Sequence, residues 1–231
     1  MKKNKGSFFG VSLGVGHIMN VTVLALRVLN SVGYIAVPKS SLKKESEALS
    51  RMKKMPVHLE DKNIIEIYMP MKKEDIEEHW QAGARTIIDI LSKGNDVAFA
   101  GIGDLLQYGT FHYLERIVQK EGFHTMYVPG ITSYQALSES LNIPLVQGDE
   151  KLVLLPDDDV AYDEISGFDT VVILKKPDNL SLYKKMTETH KLFLGINLGK
   201  RGEKFGEIDN LDDDLCNLPY FSLIIAKKSK G

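Results

Sequence analysis

Three short segments of the 231-residue chain combine residue types that could hold a ligand. Each follows an apolar run, and we call them the first loop (residues 10–16), the second loop (101–110) and the third loop (129–133). Glycine has no Cβ, so the glycine-rich backbone of the first two can approach another molecule closely. The Asp104 carboxylate and the Thr132 and Ser133 hydroxyls add hydrogen-bonding groups. Together these groups could bind a polar ligand.

Each loop also has a structural interpretation when it is taken alone. The glycine spacing of the first loop fits a tight turn as well as a ligand-binding backbone. Asp104 could cap the helix predicted to begin near Thr110. Thr132 or Ser133 could be the N-cap of the next helix. The functional interpretation therefore depends on whether the three loops lie together.

The spacing of glycines excludes two common nucleotide sites. The first loop reads G-x-x-x-G-x-G, not the dinucleotide pattern G-x-G-x-x-G, and the second predicted strand ends in Val37-Pro38 where that pattern needs an acidic residue. Residues 195–201 resemble a phosphate loop only faintly. Their glycines are too close together, and Arg201 stands where a magnesium-binding hydroxyl belongs.

Composition excludes further classes of function. The formal charge of −2, from 29 basic and 31 acidic residues, predicts no nucleic-acid partner. The six histidines are not spaced as metal ligands, so we expect no protein-bound metal. A single cysteine, Cys216, allows no internal disulfide and indicates a reducing cytoplasm. No apolar run approaches the roughly 20 residues that span a bilayer, and the first residues do not resemble a signal peptide.

Hydrophobic periodicity predicts alternating strands and helices in the first half of the chain. Strands are expected at residues 8–13, 34–37, 63–68, 96–100 and 124–128, with Pro38 ending the second. Helices are expected after Thr22, within 39–55, and at 73–91 and 110–120. The second half has a predicted helix and then strands at 151–155, 170–174, 191–196 and 220–226. We place a domain boundary between residues 127 and 128.

This alternation predicts a parallel sheet covered by helices on both faces. Ligands of such sheets bind beyond the carboxyl ends of the strands. All three loops follow predicted strands, so we expect them at one edge of the sheet.

Taken together, the three loops resemble those of the tetrapyrrole (corrin/porphyrin) methylase family. The family's first loop is Gly-x-Gly-x-Gly-Pro-Gly-Asp and its second is Gly-Asp-Pro, whereas its third, Val-Pro-Gly-Ile-Thr-Ser, is matched at every position of residues 128–133. Ser12, Val15, His17 and Leu105 depart from this pattern. Residues 142–156, 36–40 and 69–71, and the helix around Trp80, resemble the members that methylate C20 of precorrin-2 or cobalt-factor II.

The resemblance implies an α/β protein of two domains, each a mixed sheet flanked by helices, with the active site in the cleft between them. It implies methyl transfer from S-adenosyl-L-methionine to C20 of a tetrapyrrole in cobalamin biosynthesis, by a cytoplasmic homodimer that does not bind a membrane. Two alternatives stay open, namely another target of the same family (a different corrin position, or diphthamide) and a non-catalytic binding protein that keeps the fold.

The resemblance also implies which residues bind the methyl donor. By position they are Leu13, Val15, Ile102, Gly103, Asp104, Gln107, Thr132, Ser133, Leu174 and Leu198. The resemblance identifies no catalytic side chain, because the sulfonium is already activated and positioning can supply roughly 7–11 kcal/mol of the barrier. Four basic residues are candidates for pairing with carboxylates of the macrocycle, namely Lys39, Arg51, Lys200 and Arg201.

Overall fold

The computed structural model describes residues 5–41, 43–70, 76–175 and 177–229. The chain divides into two compact units, Met1–Thr132 and Ser133–Gly231. The boundary predicted at residues 127/128 stays a prediction, and the first residues of the helix predicted at 73–91 lie outside the described ranges. No helix in the part that the structure describes is both long and apolar enough to cross a bilayer.

The first unit is a five-stranded sheet in which strands and helices alternate. Its elements are β1 (Ser7–Ser12), α1 (Val23–Ser31), β2 (Tyr34–Lys39), α2 (Glu47–Met52), a 3-10 turn (Leu59–Asp61), β3 (Asn63–Tyr68), α3 (Ile76–Ser92), β4 (Val97–Gly101), α4 (Phe111–Lys120) and β5 (His124–Val128). The strand order is β3-β2-β4-β1-β5, and all four ladders are parallel. The parallel sheet predicted for this half is confirmed. The resemblance implies a mixed sheet here, but the antiparallel pairing described in this unit is one isolated bridge, between Gly14 and Gly103.

Side chains of β1 alternate between the two faces of this sheet, as the period of a strand requires. Phe8 packs with Ile87 of α3 and Leu114 of α4, whereas Val11 packs with Leu29 of α1. Each of these five side chains is fully buried, which typically stabilises the fold by about 1.5–3 kcal/mol for each large apolar group. The predicted helices on both faces are therefore confirmed.

β2 continues through Pro38, which the sequence predicts to end the strand. The Lys39 carbonyl accepts the Met69 N–H at 2.9 Å, so Lys39 faces β3 and Pro38 faces the opposite side. On that side the pairing with β4 ends at Ala36. The absence of an N–H on Pro38 removes no ladder hydrogen bond, and the predicted stop at this proline is wrong for that reason.

The second unit contains a sheet of mixed direction. Its elements are α5 (Ser133–Leu141), β6 (Leu152–Leu155), α6 (Tyr162–Ile165), β7 (Thr170–Leu174), α7 (Leu180–Met186), β8 (His190–Ile196), β9 (Lys204–Glu207), α8 (Leu211–Asp214) and β10 (Ser222–Lys228). The order is β6-β7-β10-β8-β9, with β6 and β7 parallel and the other pairs antiparallel. The sequence does not predict β9, because Phe205 is its one large apolar side chain and is itself exposed.

Candidate functional site

The three loops meet at the carboxyl edge of the first sheet, as predicted. Gly14 and Gly103 exchange two backbone hydrogen bonds, with N···O distances of 3.1 and 3.2 Å, which join the first loop to the second. The Val15 N–H donates to the Ile131 carbonyl at 3.1 Å, which joins the first loop to the third. Both contacts are made by backbone atoms alone.

Glycine is required where these backbones come together. Gly14 has a φ of +68°, and a Cβ on it would lie 2.2 Å from the Asn20 carbonyl oxygen. A Cβ on Gly130 would lie 2.6 Å from the Ser12 Cβ and 2.8 Å from the Gly103 carbonyl oxygen. Non-bonded atoms do not approach this closely, so the loops could not keep this spacing with any larger residue.

A buried network of side chains reinforces the same junction. The Ser12 hydroxyl, which has no exposed surface, accepts the Leu105 N–H at 3.0 Å and donates to the Tyr127 hydroxyl at 3.3 Å. The Tyr127 hydroxyl donates in turn to Asp104 Oδ1. Asp104 Oδ2 accepts the Gly130 N–H at 3.2 Å. One circuit therefore connects the first loop, the second loop, β5 and the third loop.

The protonation of Tyr127 favours this circuit. Burial raises the pKa of the Tyr127 phenol to about 12, and the hydrogen bond to Asp104 acts in the same direction. The phenol thus keeps its proton, and continues to donate it to Asp104, far above pH 7.

Asp104 holds the second loop in shape as well as joining it to the third. Its Oδ1 also accepts the Leu106 N–H at 2.8 Å, the side-chain bond of an aspartate turn. The turn interpretation is therefore correct in part. The N-cap of α4 is Thr110, so Asp104 does not cap that helix. An ionised carboxylate has about four acceptor positions, and three are occupied by bonds within the unit.

Arg51, on α2, binds backbone carbonyls in and directly after the first loop. Its guanidinium donates to the carbonyls of Leu13, Gly16 and His17 at 3.1, 3.1 and 3.0 Å, and the residue is only 8% exposed. Burial lowers the pKa of Arg51, but a guanidinium retains its charge. Each of the three guanidinium nitrogens of Arg51 thus donates to a backbone carbonyl, and its pairing with substrate carboxylates stays a prediction.

Two other basic candidates are also occupied. Lys39 forms an ion pair with Glu66 at 2.5 Å. The Lys200 ammonium lies 3.4 Å from the centre of the Phe221 ring. Arg201, in contrast, is exposed.

Seven of the predicted donor-binding residues lie on the three loops and belong to the first unit, namely Leu13, Val15, Ile102, Gly103, Asp104, Gln107 and Thr132. Leu13 is fully buried, and its N–H and C=O bond to Gly101 and Arg51. Thr132 is 5% exposed. Gly103 is more open than Gly14 and Gly130, since a Cβ there would meet only the Val15 Cγ2 atom, at 3.7 Å. A ligand could therefore lie against the backbone at Gly103.

The other three predicted residues belong to the second unit. Ser133 begins α5. Leu174 ends β7 and Leu198 follows β8, and these two strands are parallel because both pair antiparallel to β10. Leu174 and Leu198 thus lie at the same edge of the second sheet. Their contact with a methyl donor stays a prediction, as it does for Ser133.

No group of three His, Cys, Asp or Glu side chains in the described ranges could hold a metal ion. Cys216 is an exposed free thiol. The junction of the three loops instead offers a close-packed backbone, one carboxylate and buried hydroxyls. These groups suit the binding of a polar organic ligand.

Comparison with known proteins identifies the family of the chain. A model of the family described as Tetrapyrrole (Corrin/Porphyrin) Methylases matches residues 7–209. A Methanocaldococcus jannaschii protein named "Probable cobalt-precorrin-2 C(20)-methyltransferase" is 35% identical over 238 residues, covering 100% of both chains. A Salmonella typhimurium protein named "Cobalt-precorrin-2 C(20)-methyltransferase" is 25% identical and covers 96% of this chain and 97% of its own.

A solved structure shows the same fold. The uroporphyrin-III-C-methyltransferase from Thermus thermophilus superposes with a TM-score of 0.67 at 20% identity, covering 96% of this chain and 92% of its own. The family model spans most of the sequence, and the Methanocaldococcus relative matches over its full length. The chain therefore belongs to the tetrapyrrole methylases and is a methyltransferase.

Proposed function

We propose that this methyltransferase transfers a methyl group from S-adenosyl-L-methionine to C20 of precorrin-2 or its cobalt form, in cobalamin biosynthesis. The observation that carries the proposal is the full-length match to a relative with that name, at 35% identity. A Sinorhizobium relative named "Precorrin-2 C(20)-methyltransferase" supports it, at 25% identity over 96% of this chain. The metal-free and the cobalt-bound acceptor are both represented among these names.

The chemistry of the reaction asks mainly for binding and orientation. S-Adenosylmethionine supplies a methyl group on a sulfonium, which an electron-rich carbon of the macrocycle displaces in line. The protein has to hold the donor in one orientation, and an ordered site can contribute roughly 7–11 kcal/mol in this way. No strong side-chain base is needed for the attack itself.

The three joined loops are suited to that task. We assign donor contacts to the backbone around Gly103, with Val15 and Ile102 beside it and Gln107 and Thr132 from the adjoining turns. These loops are fixed to one another by hydrogen bonds before any ligand binds, so little ordering is left to oppose binding. The remaining acceptor position on Asp104 suits an ammonium or a ribose hydroxyl.

The family also supports two proposals about the state of the protein. We place it in the cytoplasm, where its exposed Cys216 thiol would remain reduced. We expect a homodimer.

The proposal is tested by a methyl-transfer assay in which precorrin-2 and cobalt-factor II are offered separately, with a ¹³C-labelled methyl donor. We expect a product heavier by one labelled methyl group, with the label on C20 by NMR. Label on a different carbon would replace the proposal with another specificity. Donor binding without turnover on either acceptor would replace it with a non-catalytic binding protein.

A further inference from the structure

The hydrogen bond between Leu105 and Ser12 connects two buried groups that are distant in the sequence. Leu105 is 4% exposed and Ser12 has no exposed surface, and the N···O distance is 3.0 Å. A buried N–H without an acceptor is destabilising, because it loses its hydrogen bond to water and gains none in exchange. The Leu105 N–H therefore needs the oxygen that the Ser12 side chain supplies.

Leu105 stands at a turn position where a proline would need no such acceptor. The Gln107 N–H donates to the Asp104 carbonyl at 3.1 Å, so residues 104–107 form a β-turn with Leu105 at its second position. Proline is favoured there and has no N–H to satisfy. The family pattern has proline at position 105 and glycine at position 12. This chain departs at both positions, and the two departures contact each other.

We propose that Ser12 and Leu105 are a matched pair, in which the Ser12 hydroxyl satisfies the N–H that the absence of proline leaves in the second loop. Ser12 thereby acts as a positioning residue. It is buried, and it holds the second loop against the first, and through Tyr127 against β5, in the arrangement that binds the methyl donor. The role in donor binding rests on the proposed function.

The test is a double-mutant cycle on the full chain, with the dissociation constant of S-adenosylhomocysteine as the readout. Leu105→Ala and Leu105→Pro both remove the leucine side chain, but only Leu105→Pro removes the N–H. Ser12→Ala is added to each and removes only the hydroxyl. The bond from Ser12 to Tyr127 is lost equally in both backgrounds, so its effect cancels in the comparison.

We expect Ser12→Ala to weaken binding about tenfold in the Leu105→Ala protein, because the second loop would leave its binding arrangement to hydrate the unsatisfied N–H and would have to return when the ligand binds. In the Leu105→Pro protein, the same change should weaken binding about twofold or less. Equal binding factors in the two backgrounds, with all four proteins folded, would overturn the role of the pair in donor binding.

The thermal unfolding midpoint of the four ligand-free proteins separates positioning from stability alone. If the midpoints show coupling between the two positions while the binding factors are equal, the pair only stabilises the fold and the positioning role is overturned. Absence of coupling in the midpoints as well would overturn the pairing itself. Absence of binding to the unmodified chain would overturn the proposed function, and the positioning role with it. A chain that binds S-adenosylhomocysteine but gives equal factors fails in a different way, so the two failures can be distinguished.

Discussion

Replacement of Arg51 with methionine should lower the free energy of unfolding by about 3 kcal/mol and weaken S-adenosylhomocysteine binding at least tenfold. Two carbonyls of the first loop and that of His17, directly after it, would lose a charged donor. Each such bond contributes about 1.5–3 kcal/mol, although part of the total is offset because a buried charge is also removed. Methionine has a similar length and is flexible, so the space should remain filled.

Arg27 provides the matched control for this variant. It is an exposed arginine on α1, so Arg27→Met should change both quantities little. Arg51→Lys should behave like Arg51→Met, because one ammonium cannot reproduce the planar fork that reaches three carbonyls. Urea unfolding and calorimetric titration measure the two effects. An Arg51→Met protein with unchanged donor affinity would show that the first loop keeps its shape without the guanidinium.

The second large effect is expected at Gly130. An alanine Cβ there would lie 2.8 Å from the Gly103 carbonyl oxygen and 3.1 Å from the Gly14 nitrogen. Both are backbone atoms and cannot rotate away, so the three loops would have to separate. We expect Gly130→Ala to lose about 1–3 kcal/mol of stability and to weaken donor binding more than tenfold.

Gly33→Ala is the control for Gly130→Ala. A Cβ on Gly33 would have nothing within 4 Å, and Gly33 also lies in the first unit. The stability and the donor affinity of the Gly33→Ala protein should remain close to those of the unmodified chain. Equal behaviour of the two alanine variants in unfolding and titration would contradict the close-packed junction.

Much of the fold follows from local patterns in the sequence. The alternation of apolar runs predicted the parallel order of the first sheet, and β3, β5 and β7 have the predicted limits. Thr22 caps α1 as expected, accepting the Ala25 N–H at 3.1 Å. The convergence of the three loops followed from the rule that carboxyl ends of parallel strands share an edge.

The contacts that the sequence did not identify join residues distant in the chain. Arg51 stands in a charged stretch typical of a surface helix, and only the tertiary structure shows its guanidinium beneath the first loop. Tyr127 reads as an ordinary strand residue, but its hydroxyl connects Ser12 to Asp104. One signal for the Ser12–Leu105 contact was present, since both positions depart from the family pattern. No local periodicity indicates that the two residues meet.

We propose that the junction of the three loops binds the methyl donor. Isothermal titration of the folded chain with S-adenosylhomocysteine tests it most directly, because this product carries the donor's adenosine and amino-acid groups and cannot react further. We predict saturable binding of one molecule per chain, weakened by Gly130→Ala and unaffected by Gly33→Ala. Absence of binding at millimolar ligand by a folded protein would contradict the claim.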